Sequence, residues 1–231
     1  MLYYVFCMKY ELNNMQMCII TISLKWKHCV MTKLDELRRN LKPGEVYRRE
    51  DLTQWTKSVD RHLEALSEDG TLQKVAQGLY YVPKQSLFGT LPPDEVKLVR
   101  AYLKEDKFLL TSPNAYNSLG VGTTQLYNER VVYNRKRHAT VKLGNRTFSF
   151  RRKGDFPLKA TEEFLLVDLV NNLDQLAEDQ NMVLENVKVK VRLMDQRNMK
   201  RSLTEYGDVK TKKLLFPLLQ SNQSPHHGLF A

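Results

Sequence analysis

Cysteine is scarce and confined. The chain has three, Cys7, Cys18 and Cys29, all within the first 30 of its 231 residues. No CxxC spacing and no matching histidine pair accompanies them, so neither a zinc module nor a disulfide framework is expected, and no other cofactor is implied. Long apolar runs are missing as well. The runs Leu2 to Met8 and Met17 to Leu24 are separated by Lys9, Glu11 and Asn13-Asn14, and each falls well below the roughly 20 residues that span a bilayer. A basic start, a longer apolar run and a small-residue cleavage site, the marks of a signal peptide, are also missing. These absences point to a reducing, cytoplasmic setting with no membrane partner.

Catalytic constellations are lacking too. Gly120-Val121-Gly122 has neither a third glycine nor a GK[ST] ending and reads as a helix cap and turn. Glu105-Asp106-Lys107 puts acids beside a lysine, whereas metal-dependent nucleases converge separated carboxylates on a metal. Ser112 has no nucleophile elbow and suits an N-cap. His226-His227 stands in a tail without further ligands. The chain is therefore read as a non-enzyme with no metal site.

What the sequence has is basic charge, unevenly placed. The formal charge is +10, with 42% hydrophobic residues, enough for a sizeable core. Residues 31–90 are nearly balanced at +1, while residues 91–160 carry +8. Nine cations lie from Arg130 to Lys153 with no acid among them: Arg130, Arg135, Lys136, Arg137, Lys142, Arg146, Arg151, Arg152 and Lys153. Such a strip can hold phosphate or a partner, or can be a solvated edge that blocks strand aggregation.

The stretch Val46 to Pro83 organises the chain. Its order, short helix, turn, second helix and β-hairpin, predicts a winged helix-turn-helix. In the second helix Val59, Leu63 and Leu66 form an apolar stripe, with Thr56 as the expected N-cap and Asp69-Gly70 as the stop. Its polar face carries Lys57, Ser58, Arg61 and His62 in the first two turns, where a recognition helix meets the major groove. Thr71 to Val75 and Leu79 to Val82 make the wing around Ala76-Gln77-Gly78, and Gly78 supplies a positive φ. Leu52 and Trp55, from a helix spanning Arg49 to Trp55, and Leu34, Leu37 and Leu41, from one over Lys33 to Leu41, complete that core. A winged helix can also dock a protein without touching DNA, and this is the alternative reading.

The expected class is α+β, an N-terminal winged helix-turn-helix followed by a mixed α/β C-terminal domain with terminal helices. Residues 1–30 form an extension that either precedes the native start, Met31, or packs as an extra element. The winged helix occupies 31–86, a proline-bearing link 87–93, the C-terminal domain 94–220 and a disordered tail 221–231. Within the second domain, Asp94 to Leu103 reads as a helix presenting Val96, Val99 and Leu103. Strands are expected at Phe108 to Leu110 and Glu129 to Tyr133, with a helix from Ser112-Pro113 to Gly120 between them. A hairpin over 139–143 and 146–150 pairs Val141 with Phe148 and Ala139 with Phe150 on its inner side. A long helix from Thr161 to Gln180 carries a stripe that includes Asp168 and Asn172. Residues 183–193 fit a strand or a helix equally. A helical hairpin, Arg197 to Tyr206 and Val209 to Leu219, closes the domain.

The stretch Gly78 to Lys153 resembles the antitoxin component of AbiE-type, type IV toxin-antitoxin systems. The matching pieces are Gly78-Leu79-Tyr80 with Pro83, the helix start at Pro92 to Val96, Ser112 to Gln125 with Leu119-Gly120, and the strand pair ending Phe150-Arg151-Arg152. The closing LTEYGDVKTKKLLFPLL looks like that family's C-terminal helical pair. The resemblance implies a transcriptional autorepressor that binds inverted repeats in its own promoter, as a possible homodimer on the operator, and counteracts a nucleotidyltransferase-like toxin, directly or indirectly. It carries the DNA-binding role onto Lys57, Ser58, Arg61 and His62, with Lys74 and Gln77 on the wing. The near-neutral winged helix departs from what strong operator affinity would ask of that module alone.

Overall fold

The computed structural model describes residues 32–220. The expected extension 1–30 and tail 221–231 lie outside the described residues. Two kinds of local order alternate along the chain, and the fold class is α+β.

Helix α1 (Lys33–Asn40) starts at a capping box, in which Thr32 accepts from the Asp35 amide and Asp35 accepts from Thr32. Strand β1 (Val46–Arg48), helix α2 (Arg49–Leu52) and helix α3 (Val59–Glu68) follow. Strands β2 (Gln73–Ala76) and β3 (Leu79–Tyr81) form a hairpin that β1 joins, in the order β1-β3-β2. Leu37, Leu41, Leu52, Val59, Leu63 and Leu66 are buried together with Leu72 and Val82. The helical stripes expected from their spacing thus meet in one core. Gly78 takes φ +70° at the hairpin turn, and the ladder slips between Lys74 and Ala76 as a bulge.

Two local expectations change here. Thr56 does not cap α3; Ser58 holds the N-cap position, with φ −93° and no side-chain bond. Thr56 is buried and its Oγ1 accepts the Ser58 N–H at 3.2 Å, so it shapes the turn one step earlier. Helix α2 ends at Leu52, and Trp55 packs from the following turn, edge-on to Tyr47 at 6.0 Å.

The segment 87–93 is not a plain link. Strands β4 (Lys84–Ser86) and β5 (Gly89–Leu91) make a separate two-stranded sheet across it. Nor do the halves divide at that point: Val75, Leu79 and Tyr81 share a core with Leu98, Val99, Leu103, Val132, Phe148 and Phe150. The Gly144 N–H also donates to the Val75 carbonyl at 2.9 Å. The described residues all fall within one compact unit.

Helix α4 (Glu95–Leu103) is capped by Asp94, which accepts from the Lys97 amide at 2.9 Å. It buries Leu98, Val99 and Leu103 but leaves Val96 41% exposed, against the expected stripe. Strand β6 (Leu109–Thr111), a 3₁₀ turn over Pro113–Leu119, and strands β7 (Glu129–Asn134), β8 (Ala139–Leu143) and β9 (Arg146–Arg152) follow. The β8–β9 register is the expected one, Val141 opposite Phe148 and Ala139 opposite Phe150. Phe148 and Phe150 are buried, whereas Ala139 is exposed. The pattern does not reveal that β9 also pairs in parallel with β7, giving the order β6-β7-β9-β8.

Four helices cover the far side: α5 (Glu162–Asn172), α6 (Gln180–Leu193), α7 (Gln196–Tyr206) and α8 (Val209–Gln220). The expected long helix over 161–180 stops at Asn172 for a physical reason. The Asn171 amide donates to the Tyr206 carbonyl at 2.9 Å and accepts the Asp208 N–H at 3.0 Å. The Asn172 amide donates to the Asp168 carbonyl at 2.6 Å, and Asp179 caps a new helix by accepting from Asn181 and Met182. In α6 Val183, Val187 and Val191 are fully buried at four-residue spacing and Val189 is 59% exposed. That settles 183–193 as helix, because a strand would put Val187, Val189 and Val191 on one face.

Candidate nucleic-acid interface

The start of α3 and the tip of the β2–β3 hairpin hold the residues first expected to read DNA. Lys57 and Ser58 lie in the turn just before α3 rather than in its first two turns, and both are exposed. Arg61 stands on the first turn, exposed. His62 is half-buried and tied down, since its Nδ1 shares a 3.0 Å hydrogen bond with Thr56 Oγ1. Lys57, Ser58 and His62 line one hollow of about 460 Å³ together with Trp55 and Lys33.

An acid on the same turn is neutralised. Asp60 accepts two bonds from Arg49, both 2.6 Å, and this hydrogen bonding holds its carboxyl below the usual carboxylate range. Lys57 in the turn before α3 and Arg61 on its first turn are therefore presented to an approaching anion, with the adjacent Asp60 already paired. Lys74 on β2 and Gln77 in the turn are exposed. Gln77 and Gly78 line a second groove, about 340 Å³, with Arg48, Arg49, Lys104 and Arg137.

The nine strip cations are not gathered on one surface. Arg130 reaches Glu95 at 3.0 Å, and Arg146 pairs with the same carboxylate. Arg135 donates to the Gly154 carbonyl at 2.9 Å, and Lys136 to the Lys104 carbonyl at 3.0 Å. Arg151 donates to Asn172 Oδ1 at 2.6 Å. Lys153 sits 3.4 Å from Asp168 and 4.6 Å from the Tyr133 ring centre. Arg137 has no acid but stacks on Tyr102 at 4.8 Å. Lys142 and Arg152 are exposed with no side-chain partner among the described residues. Three members, Arg137, Lys142 and Arg152, thus keep an exposed charge without an acid or carbonyl to hold it.

Two residues outside the expected set shape this arrangement. Asn134 is buried; its Oδ1 accepts the Lys136 and Arg137 amides at 2.9 and 2.6 Å, and its amide donates to the Arg137 carbonyl at 3.0 Å. That pins the turn that presents Arg135 to Arg137. Asp168, 1% exposed, accepts from the Tyr116 hydroxyl at 2.8 Å and the Tyr133 hydroxyl at 2.8 Å. Burial first, then the Asp168 charge, pushes both phenol pKa values well up. An acid inside an apolar helical stripe is the sequence signal for such a network, because a buried charge needs partners. Among the described residues no group of His, Cys, Asp and Glu could hold a metal, and no helix is long and apolar enough to cross a membrane.

The family of unknown function DUF6088 matches residues 33–203, and the chain belongs to that family. No curated protein matches it. The chain is similar in fold to the crystal structure of the RV2827C protein from Mycobacterium tuberculosis, with a TM-score of 0.51, 16% identity, and coverage of 83% of this chain and 76% of that one.

Proposed function

We propose that this DUF6088 member is a DNA-binding autorepressor whose helix-turn-helix and wing, residues 31–86, read inverted repeats in its own promoter. The observation that carries the reading is the start of α3: Lys57 and Arg61 are exposed and lack side-chain partners among the described residues, while Asp60 beside them is neutralised by Arg49. Anions favour a helix N-terminus, and the first residues of a recognition helix are those that reach base edges. Lys74 and Gln77 would add wing contacts, and Arg137, beside Gln77 in the second groove, a phosphate contact. Ser58 suits a phosphate contact better than base readout, and His62 acts through its bond to Thr56 rather than as a reader. The resemblance to AbiE-type antitoxins supplies the second half of the reading, a cytoplasmic protein that counteracts a nucleotidyltransferase-like toxin.

The test is binding of the purified full chain to the DNA upstream of its own gene and to a scrambled duplex, across a salt series. Preference for the upstream duplex that survives near-physiological salt is the expected result. Weak binding, equal on both duplexes and abolished by salt, would overturn the repressor reading. Co-purification with the neighbouring gene product in high salt, without DNA binding, would instead make the winged helix a protein-docking module.

A further inference from the structure

Strands β4 and β5 form a sheet of two strands only, so neither outer edge has a ladder partner. The hairpin is nonetheless held in place. The buried Tyr81 hydroxyl donates to the Leu91 carbonyl at 2.8 Å and accepts the Lys84 N–H at 3.4 Å. At the tip Ser86 Oγ donates to the Gly89 carbonyl at 2.8 Å and accepts the Phe88 N–H at 3.3 Å. On this anchored arm Leu87 and Phe88 are 100% and 99% exposed. A lone two-stranded hairpin is marginal in water, and adjacent large apolar side chains held out in solvent mark a contact surface.

A hollow of about 390 Å³ opens at the foot of the same hairpin, with Val75, Leu91, Pro92, Pro93, Leu98 and Leu143 in its wall. Three strand residues place the tip about 10 Å from that foot, and the full exposure of Leu87 and Phe88 shows that they do not enter it. We propose that the occupant is a second copy of this chain, with the Leu87-Phe88 tip of each copy seated in the other's hollow about a two-fold axis. Knob and hole adjoin on one surface, so that surface is self-complementary and closes as a dimer instead of propagating. A buried Phe covers about 150–250 Å². Two such tips and the walls they cover bury on the order of 1,000 Å², the low end for a specific interface. Charge does not oppose the contact at the rim, where Glu95 is shared by Arg130 and Arg146. The dimer is therefore weak and concentration-dependent, and it stands independently of the DNA-binding reading.

The experiment is sedimentation of the full chain without DNA over a range of micromolar concentrations, beside the double variant Leu87→Ser, Phe88→Ser. Both side chains are exposed, so circular dichroism and melting temperature are expected to match in the two proteins. The expected result is a mass that climbs from 27.1 kDa toward twice that value for the native chain and stays monomeric for the variant. A photo-crosslinking amino acid at position 88 should then join peptides spanning 90–98 or 143–146 of the other copy. A native chain that stays monomeric, a dimer that the double variant retains, or crosslinks elsewhere would each overturn the proposal.

Discussion

Around α3 the cations are few and free; along β7, β8 and β9 they are many and mostly occupied. Residues 31–90 carry a balance of only +1, yet Lys57, Arg61 and Lys74 are exposed without partners among the described residues. The strip from Arg130 to Lys153 has no acid in its own sequence, but Glu95, Glu105 and Asp168 come to it from α4, the residues after α4, and α5. Charge density along a chain is therefore a poor measure of charge available to a polyanion. What counts is how many cations the fold leaves unspent.

Four outcomes would sharpen or break that contrast. The largest is expected from Asp168→Ala, which strips the acceptor from two buried hydroxyls and from Lys153. Removing one partner from such a buried set costs about 3–5 kcal/mol, read as a drop in melting temperature; unchanged stability would mean that the strip's inner cations are not structural. Next is Lys57→Ala with Arg61→Ala. It should remove about 1–3 kcal/mol of preference for the upstream duplex over the scrambled one and leave the melting temperature alone. Equal preference before and after would take α3 out of the interface.

A smaller effect is expected from replacing Arg135, Lys136 and Arg137 together by alanine. Affinity should fall uniformly across sequences and the salt slope by about one contact, because only Arg137 is free of a carbonyl or acid partner. A fall of about three would return Arg135 and Lys136 to the free cations. The last effect is absent at neutral pH. The Tyr116 and Tyr133 phenols are raised by burial and by Asp168, so their contribution is fully present below about pH 10, where an unfolded tyrosine ionises, and is lost as pH rises above it. Tyr116→Phe should flatten that alkaline loss; an unchanged profile would place the loss elsewhere.

Much of the local structure was legible because backbone geometry enforces it. Spacings of four and three residues placed Val59, Leu63 and Leu66 in one core, and two-residue alternation set Val141 opposite Phe148. The break at Asn172 was hidden because Asn171 is drawn off by Tyr206 and Asp208, contacts that no window around it contains. At the candidate site, the exposure of Lys57, Arg61, Lys74 and Gln77 follows from the pattern. The capture of His62 by Thr56 does not.

The sequence by itself determined the apolar stripe of α3, the β8–β9 register and the hairpin turn at Gly78, since each depends on residues within a few positions of one another. The tertiary structure alone decided that β9 inserts between β7 and β8, that the β2–β3 hairpin shares a core with α4, and which cations are spent. Those outcomes hang on partners far apart in the chain, such as Lys153 with Asp168, Arg130 with Glu95 and Gly144 with Val75. A charge is neutralised by whatever the fold brings within a few ångströms, and sequence neighbours do not report that distance.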